Sequence, residues 1–244
     1  MNFEKLDKEH YEELISYLKS LQDEKYRNFH SGLVKNSSSE IIGIRMPLLR
    51  STAAKISKGD FIGFLQNSGT KYYEEIILSG LVTARLGGGV EEQKAALDKF
   101  IPYIDNWAVC DTFCSEFKTV GKNQKLFFEQ IKGYLSSSNP WAKRVGLVLL
   151  MTYYLNADYI DITLQLAKKV QSDEYYVKMA QAWLFSVAFV KYRDKTLEII
   201  KNGLTDKTLL KMTVQKCVDS YRISRDDKEL LKKLRPQKNK AQFD

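Results

Sequence analysis

The sequence predicts an all-α fold of stacked helical hairpins, an α–α superhelix of the solenoid type. Three observations lead there. Apolar residues recur at steps of three and four rather than two, the period of a helix face. Helix breakers interrupt that pattern at nearly even intervals. Proline and glycine are otherwise scarce, at 4 and 13 of 244 residues, so little stops helices between the breaks.

The stripes are explicit. Trp107, Cys110, Cys114, Phe117 and Val120 step by 3, 4, 3 and 3, as on one side of an amphipathic helix. Tyr176, Ala180, Trp183, Val187 and Val190 step by 4, 3, 4 and 3, and Val214, Val218 and Tyr221 continue the rule. The spacing predicts a helix over 71–86, stopped by Gly87-Gly88-Gly89, where glycine can adopt a left-handed cap. A partner follows over 91–104. The next helix starts after an N-cap at Asp105 or Asn106 and runs to about Gly121, with its partner over 124–135. The loop Ser136-Ser137-Ser138-Asn139 leads to Pro140 at a helix start. Pairs are then expected over 141–155 with 158–170, 174–192 with 194–202, and 207–221 with 225–234.

First helices therefore begin near 71, 106, 140, 174 and 207, about 34 residues apart, within the range of helical-hairpin repeats. One hairpin cannot bury its apolar face alone, so stacked neighbours share a continuous core. An irregular helical domain is the competing arrangement. The start of the chain differs: 11–21 reads as a helix, DEKYRNFHSGLVKNSSSE ends in a polar loop, and IIGIRMPLLRSTAAKI carries Gly43 just before a helix with Pro47 early in it. The expected organisation is one repeat domain over 1–235, with a cap region over 1–60 and about five helical pairs over 71–235. A basic, partly disordered tail follows over 236–244.

Hydrophobic residues are 44% and charged residues 28%, close to globular averages. No apolar run approaches the roughly 20 residues that span a bilayer, and the start lacks a secretory signal, so a cytoplasmic, non-membrane protein is expected. Three cysteines with no CxxC pair argue against a disulfide framework. Two histidines, His10 and His30, lie far from Cys110 and Cys114, so no metal site is expected and core packing is the better reading of both thiols. There is no P-loop and no dinucleotide fingerprint, and no cofactor is expected. A net charge of +8 fits a polyanionic partner or a basic solvated surface.

One constellation could carry chemistry. Trp107 and Asp111 are four apart, on one face of a helix. Arg144 lies early in the next repeat, beside Trp141, and Trp183 in the repeat after it. Equivalent helices of stacked repeats lie about 8–10 Å apart, so the four would converge if all face the concave side. Aromatic faces stabilise cations, a carboxylate stabilises developing positive charge, and a guanidinium clamps phosphate. Equally, Trp183 could be a core residue of its stripe, Trp141 a packing residue between repeats, and Asp111 with Arg144 an ordinary salt bridge.

The stretches GIRMPLLR (43–50), NWAVCDTF (106–113), NPWAKRVGLVLL (139–150) and YYVKMAQAWL (175–184) resemble the AlkD-like family of DNA alkylation repair glycosylases, in order and spacing, over about 40–222. The family fold is a superhelix of HEAT-like helical pairs. The resemblance implies hydrolysis of the N-glycosidic bond of cationic N3- and N7-alkylated purines in double-stranded DNA, without burying a flipped base. It assigns Asp111 to the sugar cation and the attacking water, Trp107 and Trp183 to the sugar and lesion, and Arg144 to the DNA backbone. Arg45, Lys178, Lys216 and Arg222 are further candidates for DNA contacts. One segment departs from the family: DEKYRNFHSGLVKNSSSE stands where the glycosylases carry a short DNA-reading helix. CVDSYRIS (217–224) is similar to the AlkD2-like branch, which keeps the active residues without that helix. A monomeric, cofactor-free glycosylase is thus expected. A catalytically inactive protein binding damaged or branched DNA, and a scaffold for protein partners, are the alternatives.

Overall fold

A computed structural model describes residues 3–35 and 37–235. The expected basic tail over 236–244 lies outside the described residues. The α-helices are α1 (Lys8–Ser20), α2 (Glu24–Leu33), α3 (Met46–Ile56), α4 (Phe61–Asn67), α5 (Tyr73–Thr83), α6 (Val90–Phe100), α7 (Trp107–Glu116) and α8 (Thr119–Lys122). They continue with α9 (Gln124–Ser136), α10 (Pro140–Tyr153), α11 (Ile160–Lys169), α12 (Tyr175–Lys191), α13 (Arg193–Asn202), α14 (Lys207–Asp219) and α15 (Arg225–Lys232). Among the described residues there is no named strand; a single bridge joins Glu40 to Tyr72. Helices α5, α7, α10, α12 and α14 start at 73, 107, 140, 175 and 207. That spacing is the expected hairpin period, and the fold class is the all-α one anticipated.

Local chemistry explains the starts. Asn106, not Asp105, caps α7: its Oδ1 accepts from Ala108 and Val109 N–H, each at 3.0 Å. Asn139 does the same for α10, with Pro140 in the first turn. Asp206 caps α14 through Thr208 and Leu209. Two expectations are corrected. Helix α7 ends at Glu116 rather than near Gly121, because the backbone leaves helical geometry at Phe117. The left-handed glycine is Gly88, at φ 114°; it precedes the start of α6 instead of capping α5, which already ends at Thr83. Residues 24–33 form a regular helix, started by the Asp23 carboxylate accepting from Tyr26 N–H.

The described residues fall into two compact units, divided between Phe127 and Phe128. In the first, α3 packs on α5 and α5 on α7. Leu49, Ala53, Leu78, Leu81, Cys110 and Cys114 are fully buried there, so both thiols serve the core as expected. Phe100 meets Phe113 at 4.2 Å between ring centroids, and Gly80 lets the Phe100 ring approach where a Cβ would stand 2.7 Å from it. In the second unit α12 lies between α10 and α14. It is apolar around most of its circumference, with Ala182, Leu184, Phe185 and Ala188 wholly buried.

Candidate functional site

In the first unit the candidate residues sit at the start of α7. Trp107 and Asp111 are both half-buried on that helix, one turn apart. The Trp107 indole N–H donates to the carbonyl of Leu33, at the end of α2, at 3.2 Å. Just beyond α2, Ser38 donates from its backbone N–H (2.7 Å) and its hydroxyl (2.8 Å) to the carboxylate of Asp105. Three bonds, to Leu33 and from Ser38, thus fasten the N-terminal end of α7. Sequence reasoning missed them, since the partners are separated by 74 and 67 residues.

The far end of α7 is held by charge. Glu116 is buried and accepts from Arg50 Nη1 and, at 2.7 Å, from Arg85 Nη2. Arg85 also donates to the Arg50 carbonyl at 3.3 Å. Arg50 closes the GIRMPLLR stretch, so α3, α7 and the turn just after α5 meet in one ionic cluster. The same stretch begins with a backbone nest. The N–H groups of Ile42, Gly43 and Ile44 donate to the fully buried Glu74 carboxylate at 2.9, 2.7 and 3.1 Å. Gly43 takes φ 98° there, which a side chain resists.

Arg45 is exposed at the start of α3. Its guanidinium donates to Asp23 Oδ2 at 2.8 and 3.0 Å and lies over the Tyr26 ring at 5.2 Å. The Tyr26 N–H and this guanidinium hold the Asp23 carboxyl below its ordinary range. Beside it, His30 is buried between Tyr26 and Tyr73, at centroid distances of 5.4 and 5.0 Å. Its Nε2 has no hydrogen-bond partner among the described residues, and burial pushes the imidazole below its ordinary value. A cavity of about 620 Å³ in this unit is lined by Ile76, Ser79, Leu86, Ala96 and Phe100; none of the candidate residues faces it.

In the second unit Arg144 is buried on α10. It donates to the Tyr176 carbonyl at 2.6 Å and lies over that residue's ring at 6.0 Å. Trp141 stacks on the same ring at 5.6 Å. Trp141 therefore packs α10 to α12, as one sequence reading had it. Trp183 is not a core residue: it is 37% exposed, although Ala180 of the same stripe is buried. It lines a groove of about 280 Å³ with Val187, Val190, Lys216, Asp219 and Arg222. The structure thus brings Trp183, Lys216 and Arg222 together.

Lys178 is placed differently. Its side chain is only 12% exposed and its ammonium pairs with Asp206 at 2.8 Å and Asp173 at 3.2 Å. The two carboxylates raise its pKa, and Lys178 lowers that of Asp206. Val218 is half-buried and Tyr221 lies past the end of α14 with its ring fully exposed, so the stripe that began at Val214 stops there. Cys217 is buried and its thiol is pushed up to about 11, so it remains protonated at neutral pH.

Among the described residues no group of three His, Cys, Asp or Glu could hold a metal ion, and no helix is long and apolar enough to cross a membrane. Residues 11–200 match the family model described as DNA alkylation repair enzyme. A search of curated proteins finds no match.

Proposed function

Because the chain belongs to the DNA alkylation repair enzyme family, we propose that it hydrolyses the N-glycosidic bond of cationic N3- and N7-alkylated purines in double-stranded DNA. It acts as a cytoplasmic monomer without metal or cofactor. The observation that carries this reading is the pairing of Trp107 and Asp111 on one face of α7, fastened at both ends by the Leu33, Ser38, Arg50 and Arg85 contacts. A site that stabilises a short-lived cation needs its carboxylate held before the reaction begins.

A purine alkylated at N3 or N7 already carries positive charge. When the C1′–N bond breaks, its electron pair moves onto the base, which leaves neutral, so no general acid is needed. Positive charge passes to the sugar as an oxocarbenium ion. Asp111 stabilises that charge and orients a water molecule. The water oxygen bonds to C1′ and its proton is released, giving an abasic site and the free base. The Trp107 ring offers its negative face to the cationic lesion and sugar, as does the exposed Trp183 ring. Arg144 serves the DNA backbone, with Arg45, Lys178, Lys216 and Arg222 as further candidate contacts. The buried Arg144 and the doubly paired Lys178 have little freedom for that role, whereas Lys216 and Arg222 border an open groove.

The test is release of 7-methylguanine and 3-methyladenine from methylated duplex DNA, beside Asp111→Asn with its helicity checked by circular dichroism. Release by the wild type and loss in the folded variant is expected. Release that survives Asp111→Asn rejects the mechanism. Salt-dependent DNA binding with no release favours the non-catalytic alternative.

A further inference from the structure

The CVDSYRIS stretch holds an arrangement that base excision does not explain. Helix α14 ends at Asp219, and the chain turns through Ser220, whose hydroxyl accepts from Arg222 N–H at 3.3 Å. Ser220 and Arg222 both line the Trp183 groove. Tyr221, between them in the chain, is not part of that lining and has a relative exposure of 103%. Beneath the groove, the Ser186 hydroxyl donates to the Lys216 carbonyl at 3.2 Å and ties α12 to α14. Lys178, Arg193 and Lys195 each hold a carboxylate, whereas neither Lys216 nor Arg222 has an ion-pair partner among the described residues. Asp219, the one carboxylate in the groove lining, accepts instead from Gln215 at 2.7 Å.

An indole face, two cations without ion-pair partners and a bare phenol ring on a held turn suit a nucleic-acid strand. Cations take the phosphate, and aromatic rings take the π-face of a base. In a fully paired duplex both faces of each interior base are already covered by stacking. A protruding ring therefore gains most from a base that lacks a pairing partner and can leave the stack.

We infer that the Trp183 groove seats one sugar–phosphate unit on Lys216 and Arg222, and that Tyr221 stacks on an adjacent unpaired base. The protein then discriminates in favour of duplexes carrying an unpaired nucleotide. The inference rests on the DNA reading above and extends it, because discrimination is read on undamaged DNA and needs no base release.

Fluorescence anisotropy with a labelled paired duplex, and the same duplex with one unpaired base, tests it at fixed salt. The wild type should bind the second about tenfold more tightly, the scale of one base–aromatic stack. Tyr221→Ala should abolish that preference and Tyr221→Phe keep it. Lys216→Gln and Arg222→Gln should weaken both duplexes alike. Equal wild-type affinities, or a preference that survives Tyr221→Ala, overturn the inference. A Tyr221-dependent preference without base release leaves the platform standing and removes the glycosylase reading. Base release with no preference does the reverse.

Discussion

The indole N–H of Trp107 donates to the backbone carbonyl of Leu33 at 3.2 Å, joining the start of α7 to the end of α2. A ring held this way keeps its face in one orientation. Trp107→Phe retains an aromatic face but removes the donor. The expected cost is about 1 kcal/mol of stability, the net worth of one hydrogen bond, with slower base release. Urea denaturation and single-turnover release check both. Unchanged stability and rate would show that the bond positions nothing.

Glu116 concentrates the ionic support of α7. Glu116→Ala leaves Arg50 and Arg85 side by side without their carboxylate. The expected loss is about 2 kcal/mol, less than a fully buried pair because Arg50 is 40% exposed. Glu116→Gln, which keeps an acceptor, should lose less. The midpoint of urea unfolding at constant slope measures it. Equal losses for both variants would refute a charge-based role.

Gly43 permits the nest around Glu74. In Gly43→Ala the new Cβ would stand 2.5 Å from the Arg27 Cβ, at a φ of 98°. The expected destabilisation is at least about 2 kcal/mol, combining a left-handed backbone penalty with that clash. Wild-type stability in the variant would contradict the geometry.

His30 gives the first unit a pH dependence. Its folded pKa lies below its ordinary 6.5 because burial disfavours the imidazolium, although nearby Glu74 acts the other way. The unfolded state therefore binds more protons between the two values. Stability from the neutral ring is fully present above about pH 6.5 and is lost as pH falls through the folded value. Wild-type stability should drop between pH 7.5 and 5 more than that of His30→Phe. Parallel curves for the two proteins would assign the drop to other groups.

The cations of α12, α14 and the turn beyond separate by their partners. Lys216→Gln and Arg222→Gln should each reduce the salt slope of DNA binding by about one. Lys178→Gln should leave it nearly unchanged, since its ammonium is held by Asp173 and Asp206. Asp206→Ala should cost about 1 kcal/mol as a lost helix cap. A full unit of slope lost with Lys178 would overturn this division.

The all-α class, the hairpin period, a cap at Asp105 or Asn106 and the helix start at Pro140 were legible in the chain itself. They depend on contacts within a few residues: apolar spacing, a side-chain acceptor, a ring that fixes φ. Trp107 and Asp111 were legible as a pair for the same reason, since four residues on a helix make one face. Tertiary structure decided the rest. Helix α12 has neighbours on more than one side, so its stripe could not say whether Trp183 turned to the core or to the groove. The Lys178–Asp206 pair, the ionic cluster at Glu116 and the anchor of Trp107 on Leu33 join residues 28 to 74 apart. Local periodicity carries no record of such distant pairings; they exist only once packing has brought the helices together.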